Sequence, residues 1–190
     1  MTIRCEWPGN DQLMIEYHDT EWGKPQHDDR VLFEYFLLDT FQAGLSWSII
    51  LKKREHFRKA FHNFDPVVIA KYTKEDINRL LKDTGIIRNK LKIHAAIINA
   101  QKCLEVQREF GSFDRYIWRF INYKTIINSL KSLKELRATS RESDDMSKDL
   151  KKRGFKFVGS TICYAFMQGS GMVNDHTVDC FRYKELLSNK

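Results

Sequence analysis

The chain has 190 residues, of which 42% are hydrophobic, 13% aromatic and 30% charged, with a formal net charge of +7. That length supports one sizeable core, and no apolar run approaches the roughly 18 residues of a bilayer span, so no membrane role is expected. Cys5, Cys103, Cys163 and Cys180 are too few and too scattered for a secreted disulfide scaffold, and the start MTIRCEWPGND lacks the apolar stretch of a secretory signal; a cytoplasmic protein with reduced thiols or a bound metal is expected.

Charge is unevenly placed along the chain. Residues 1–40 hold three Lys/Arg (Arg4, Lys24, Arg30) against nine Asp/Glu, a balance of −6, which leaves +13 on the remainder. A basic surface favours a polyanion such as nucleic acid through phosphate contacts and counterion release, although solvated lysines alone account for any single cluster. The acidic first segment suits something positively charged.

Strand signals are nearly absent, and helix punctuation recurs along the chain, so an all-α fold is expected, as one domain over residues 1–190 with room for two lobes. Asp65 before Pro66 opens a helix. Thr73 with Asp76 makes a capping box for the next, which carries Ile77, Leu80 and Leu81 inward and closes near Gly85. The segment TGIIRN, Thr84 to Asn89, is then too short for anything but a tight turn, because helical spacing resumes with Leu91, Ala95 and Ile98. This pair, within about residues 65–110, is a helix–hairpin–helix candidate for DNA contact: Gly85 in the turn, the positive end of the second helix, and charge from Arg88, Lys90 and Lys92. Any αα-hairpin has such a turn, so the signal is weak alone. Further on, Ser143 with Asp144 and Asp145 starts a helix that ends on Lys151, Lys152, Arg153 and a Gly154 stop. Phe155 to Met167, FKFVGSTICYAFM, is apolar on most faces and is expected to be a buried central helix.

Near the end, DHTVDC places His176 and Cys180 at i and i+4, able to share a helical face. Cys5 and His18 lie near the start with twelve residues between them. Cys103 and Cys163 sit in apolar helical patterns, where free cysteine is usually a small core hydrophobe. Together Cys5, His18, His176 and Cys180 would form a Cys₂His₂ set whose softness and count suit zinc. Spacing alone leaves chance pairing open. If the set is real, four protein ligands fill a tetrahedral ion, and the site is structural.

Several stretches together carry a resemblance: RCEW (4–7), YHDTEWG (17–23), QAGLSW (42–47), LKKRE (51–55), KKRGFKFVGSTICYAFMQ (151–168) and MVNDH (172–176). In order and over nearly the whole chain, they resemble the DNA-3-methyladenine glycosylase I family. The resemblance implies a divergent helix–hairpin–helix glycosylase fold whose termini are joined by one structural zinc on Cys5, His18, His176 and Cys180. It also implies hydrolysis of the N-glycosidic bond of 3-methyladenine in alkylated double-stranded DNA by a monomer that flips the base, releases it free and leaves an abasic site in chromosomal DNA. The implied base pocket is Trp7, Tyr17, Trp22, Asp39 and Trp47, with Asp39 as the catalytic carboxylate.

Two positions depart from the family pattern: Asp39 stands where glutamate is usual, and Met14 where tyrosine is frequent. Aspartate keeps the charge but is shorter, so contact with the base edge requires a shift or a bridging water. Without the resemblance, Asp39 would be read as a helix-surface carboxylate, Trp22 and Trp47 as core, and Tyr17 as support for a metal ligand. Two other functions are open to the residues: a zinc-stabilised module that binds lesions without cutting, and a zinc hydrolase, which four filled ligand positions disfavour.

Overall fold

The computed structural model describes residues 2–188, which form ten α-helices and one pair of two-residue strands. The helices are α1 (Gln12–Thr20), α2 (Asp29–Gln42), α3 (Trp47–Ala60), α4 (Pro66–Ile69), α5 (Lys74–Lys82), α6 (Lys90–Phe110), α7 (Phe113–Trp118), α8 (Arg141–Lys152), α9 (Ser160–Gly169) and α10 (Phe181–Ser188). Strand β1 (Ile126–Ile127) pairs in parallel with β2 (Val173–Asn174), and a further bridge joins Leu130 to Thr177. The chain is therefore mostly helical, as its punctuation suggested. The strands left no trace in sequence because two residues carry no period.

The centre of the molecule is α2. Asp28 caps it by accepting from the N–H groups of Arg30 and Val31, and every residue from Leu32 to Phe41 is buried. A helix apolar all round must be surrounded, and here α3, α6, α7 and α9 do so. Phe36 meets Phe113, Phe155 and Phe166 edge-on at 5.8, 5.6 and 5.7 Å, while Phe41 meets Phe57 at 4.8 Å. Each such ring contributes about 1.5–3 kcal/mol by burial. A second, smaller cluster holds Cys5, Tyr17, Trp22, Leu51 and Cys180, and Trp47 packs against both clusters. The seam between them is where the candidate site lies.

The expected Phe155–Met167 helix is shorter: α9 begins only at Ser160. The buried Asn99 side chain accepts from the Lys156 N–H (2.8 Å) and donates to its C=O (3.1 Å), as a neighbouring strand would. This ties the Lys156 backbone to α6, and Phe157 beyond it has φ +56°, which no right-handed helix permits. The helix expected at Ser143 starts three residues earlier. Ser140 is its N-cap and Ser143 occupies the third helical position, each side chain bonding the other's backbone N–H. Both serines offer the same signal, and Ser143 is drawn inward to Ser160 at 2.8 Å. The starts at Asp65–Pro66 and at Thr73 with Asp76, and the stop at Gly154 with φ +93°, are as expected.

α5 and α6 form the expected helix–turn–helix, with Asn89 capping α6 through the Lys92 N–H. Lys92 adds no surface charge there. It is buried, and its ammonium donates to the carbonyls of Phe41 (2.8 Å) and Ala43 (2.6 Å). The last turn of α2 has no basic residue of its own, so a lysine from α6 satisfies its open carbonyls and meets its negative end.

Candidate active site and metal centre

Cys5, His18, His176 and Cys180 are all buried, and their ligand atoms lie within 4.8 Å of one another. His176 and Cys180 do not share a helix: they flank a turn after β2, and α10 begins only at Phe181. The bridge between Leu130 and Thr177 and the bond from the Thr177 N–H to Cys5 Sγ (3.4 Å) fix that turn. Cys5 Sγ is 3.5 Å from His176 Nδ1; Cys180 Sγ is 3.5 Å from His18 Nε2 and 3.6 Å from His176 Nδ1.

The outward ring nitrogens have partners that set the tautomers. His18 Nδ1 faces Asp19 Oδ1 at 2.8 Å, and His176 Nε2 faces the Trp22 carbonyl at 3.1 Å. Donating there leaves both inward nitrogens with free lone pairs, the form a metal needs. Arg4 in turn grips Asp19 at 2.8 Å. Burial works against the Asp19 charge, but Arg4 and His18 hold its carboxyl below the usual range. The two sulfurs titrate as a pair. Contact with Cys180 and burial push the Cys5 thiol up, while contact with Cys5, against burial and helped by His176 and His18, holds the Cys180 thiol down. One proton between two sulfurs is what a cation would displace. The cluster can therefore hold a metal ion. Gly23 lets the chain pass close by: with φ +78°, a Cβ there would sit 3.0 Å from His176 Nε2.

Beside this cluster is a cavity of about 190 Å³, and the five expected pocket residues, Trp7, Tyr17, Trp22, Asp39 and Trp47, all line it. Trp7 crosses Trp22 at 5.0 Å, Trp47 tilts over Tyr17 at 5.4 Å, and Trp22 stands edge-on to His176 at 4.6 Å. The aromatic wall is thus continuous with the metal cluster. The indole N–H groups of Trp7 and Trp47 are buried and find no acceptor among the described residues.

Asp39 is not a surface carboxylate. It is 5% exposed, on the buried stretch of α2, and no described residue donates to it. Burial alone pushes its carboxyl well above the usual range. Burial and the nearby Asp39 also push the Tyr17 hydroxyl up.

Met14, the position that departs from the family pattern, lines the cavity too, as do Gln42, Leu136, Ala165 and Gln168. Gln42 and Gln168 lie inside the quoted stretches QAGLSW and FKFVGSTICYAFMQ, but nothing in their spacing distinguished them. Gln42 also fixes the turn after α2, accepting from the Leu45 N–H (2.6 Å) through its carbonyl and donating from Nε2 to the Leu45 C=O (3.3 Å). Leu45, in that turn between the lining residues Gln42 and Trp47, is 36% exposed. Behind the aromatic wall, Arg54 bonds Glu34 at 2.6 Å and Glu21 at 2.7 Å, and Tyr35 donates to Glu21 at 3.0 Å. This buried network anchors the residue before Trp22, and only its position in LKKRE marked Arg54 in sequence.

In the turn between α5 and α6, Arg88 and Lys90 are exposed. Gly85 is close-packed: its N–H donates to Asp83 at 2.7 Å, and a Cβ would lie 2.7 Å from the His56 ring of α3. Lys53 of α3 donates to the carbonyls of Thr84 (3.0 Å) and Gly85 (3.2 Å), so hairpin and α3 move as one. Cys103 and Cys163 are buried core residues, away from the cluster, and no described helix is long and apolar enough to cross a membrane.

With this geometry in place, comparison with known proteins is direct. A family model for methyladenine glycosylase matches residues 7–183. DNA-3-methyladenine glycosylase 1 of Escherichia coli (strain K12) is 49% identical over 180 residues, covering 95% of this chain and 96% of that one. The Haemophilus influenzae DNA-3-methyladenine glycosylase is 47% identical over 95% of this chain and 97% of its own. A crystal structure of 3-methyladenine DNA glycosylase I superposes with a TM-score of 0.92 at 50% identity, over 94% of this chain and 98% of that one. A Tyr-to-Phe variant of such an enzyme in complex with 3-methyladenine superposes with a TM-score of 0.91 at 32% identity, over 94% and 96%. The ordered stretches, the aromatic cavity with its buried carboxylate and these matches together establish that the chain belongs to the methyladenine glycosylase family.

Proposed function

We propose that this protein removes 3-methyladenine from alkylated double-stranded DNA by flipping the base into the aromatic cavity and hydrolysing its N-glycosidic bond. The observation that carries this reading is Asp39, a buried carboxyl with no protein donor inside a wall of three tryptophans and a tyrosine. A site of that kind is unfavourable for the empty enzyme and complementary to a flat ligand that carries positive charge.

Alkylation at N3 leaves the nucleotide's base cationic. Aromatic faces attract it by about 0.5–2 kcal/mol relative to neutral adenine, and a cation beside Asp39 favours the ionised carboxylate. The same charge prepares the leaving group. When the bond from C1′ to the base breaks, the electron pair goes to the base, which departs neutral, and water adds at C1′ and gives up one proton to solvent, leaving the abasic site. Strong general acid catalysis is therefore not needed. Asp39 binds the base edge, directly or through a bridging water given its shorter reach, and its charge opposes loss of the cationic form until the bond breaks. Extrusion costs a few kcal/mol of stacking and pairing, which the aromatic contacts offset. Leu45, an exposed apolar side chain on the braced turn between Gln42 and Trp47, is suited to fill the gap left in the duplex.

For phosphate contact, Arg88 and Lys90 at the start of α6 supply charge where the helix dipole also favours anions. Gly85 serves by letting the hairpin lie against α3, which carries Trp47 at its first position. The whole assembly is read as one domain, active as a monomer.

The ion in the Cys₂His₂ cluster is inferred to be zinc. Tetrahedral Zn²⁺, with about 2.3 Å to sulfur and 2.0–2.1 Å to nitrogen, separates S from N by about 3.5–3.6 Å. Three of the four S···N pairs here are 3.5, 3.5 and 3.6 Å apart. With four protein ligands, zinc supplies structural cross-linking of the two termini. What the chain's own residues contribute is the wall: Trp22 rests on His176 and gives its carbonyl to the same ring.

The reading is tested by incubating the purified protein with methylated duplex DNA and separating the released bases by chromatography. Free 3-methyladenine and an equal number of abasic sites are expected. Tight binding to methylated duplex without release would instead favour a lesion-binding module.

A further inference from the structure

Gln168 lines the cavity from the end of α9, and nothing in the proposed chemistry uses it. Its main chain is pinned, since its carbonyl accepts from the N–H groups of Gly23 (3.0 Å) and Gly171 (3.3 Å). Its side chain is pinned as well. Nε2 donates to Asp175 Oδ2 at 2.7 Å, and Asp175 is 1% exposed.

Asp175 collects two further donors. The Tyr164 hydroxyl reaches Oδ2 at 2.8 Å, and Asn128 Nδ2 reaches Oδ1 at 2.6 Å. Asn128 is itself held by its N–H on the Asn174 carbonyl (3.1 Å), beyond the β1–β2 pair. A carboxylate can only accept, so the Gln168 amide has one permitted orientation, nitrogen toward Asp175 and oxygen away from it. That Oε1 has no protein donor among the described residues, and the residue carrying it faces the cavity. The pocket therefore has a second fixed acceptor besides Asp39.

We propose that Gln168, locked by Asp175, sets lesion selectivity by presenting Oε1 to the C6 substituent of the flipped base, favouring an amino group over a carbonyl oxygen. Adenine lesions carry a donor at C6 and guanine lesions an acceptor. A guanine O6 against Gln168 Oε1 would bring two acceptors together, with neither satisfied by the other. Because the amide cannot turn over without breaking its bond to Asp175, the pocket cannot adapt to that edge. The proposal rests on the base-pocket reading above.

The test uses duplex DNA treated with a methylating agent, which carries both 3-methyladenine and 3-methylguanine, and compares single-turnover release of the two bases. Wild type is expected to favour 3-methyladenine. Gln168→Met keeps length and removes the acceptor, and should lower the adenine-to-guanine rate ratio by about tenfold, with faster 3-methylguanine release making up part of the change. Asp175→Asn can donate to Oε1 and so turn the amide over, which should shift the ratio the same way; Gln168→Met decides if that variant does not fold. An unchanged ratio in folded Gln168→Met, or an equal loss of both rates, would overturn the assignment. A wild type that releases neither base defeats the glycosylase reading itself, whereas active wild type with an unaltered Gln168→Met ratio defeats only the role of Gln168.

Discussion

Cys180 Sγ lies 3.5 Å from His18 Nε2, a contact that closes a loop of 162 residues between the two ends of the chain. The Phe181 N–H on the Ile3 carbonyl and Arg4 over the Phe181 ring also link the two ends, and the fourfold cluster lies at the same junction. Replacing Cys180 with Ala is expected to reduce metal content to well below one ion per chain. If affinity falls by a factor of a thousand at saturating metal, the linked loss of stability is about 4 kcal/mol. Metal analysis by mass spectrometry and thermal melting, with and without a chelator, check this. Full occupancy in the variant would remove Cys180 from the ligand set.

Asp39 should lower the stability of the enzyme in return for function. Burial raises its folded pKa above the ordinary 3.8, so the native state binds more protons than the unfolded chain in the window between the two values. Stability from this group is complete below pH 3.8 and is lost as pH rises through the folded value. Asp39→Asn removes the titration. At neutral pH the variant should melt several degrees higher than wild type, given that about 1 kcal/mol moves the midpoint by 2–4 °C in a chain of this size. The gap should close as pH falls toward the ordinary carboxylate value. Base release should fall steeply in the same variant, and a variant no more stable than wild type at neutral pH would contradict the assigned cost of the buried acid.

The same linkage acts on binding. A cationic base lowers the pKa of the carboxyl it meets, so capture of a positively charged lesion should release a proton from Asp39. Affinity for DNA bearing such a lesion should therefore rise with pH up to the folded-state value of free enzyme, after which it levels. Calorimetry in buffers of different ionisation enthalpy measures the proton count directly. An absence of proton release in wild type, or equal release in Asp39→Asn, would show that another group responds.

How far the sequence spoke differs from residue to residue, for physical reasons. That Cys5, His18, His176 and Cys180 come together, and that five aromatic and acidic residues share one cavity, was legible because side-chain chemistry of that kind is scarce and its order along the chain was recognisable. Asp39 was not legible from its helix alone, since α2 is buried on all sides and no polar face remains to contradict a surface reading. Phe155–Met167 misled because apolar content does not distinguish a helix from a buried bend, whereas Asn99, more than fifty residues away, holds the Lys156 N–H and C=O and Phe157 takes a positive φ. Lys92 misled in the opposite sense: a lysine beside Arg88 and Lys90 looked like surface charge, and only the tertiary fold brings the open end of α2 to it. Contacts between distant segments decide these cases, and no local pattern encodes them.

That role of Lys92 makes a prediction of its own. Lys92→Met keeps the apolar stem but leaves the carbonyls of Phe41 and Ala43 without their donor, and should cost about 1.5–3 kcal/mol. Because those carbonyls end the helix that carries Asp39 and begin the turn that carries Leu45, base release should weaken while binding to undamaged DNA is preserved. Denaturant unfolding and a DNA-binding titration separate the two effects. Loss of undamaged-DNA binding at full stability would return Lys92 to the surface role.

Arg88 and Lys90 should behave in the contrary manner. Both are exposed beside the start of α6, and neither is in the base cavity. Each phosphate neutralised contributes about 0.9 to the slope of log affinity against log salt on duplex DNA. Arg88→Ala and Lys90→Ala together should then flatten the slope by about 2 if each meets one phosphate. Affinity should drop alike for methylated and unmethylated duplexes, because phosphate contacts carry no information about the base. Melting temperature and metal content should be unchanged, since both side chains are exposed and neither makes an ion pair among the described residues. Titrations at several salt concentrations measure the slope. A double variant that kept its salt dependence, or lost affinity only for methylated DNA, would move the phosphate contact away from this hairpin.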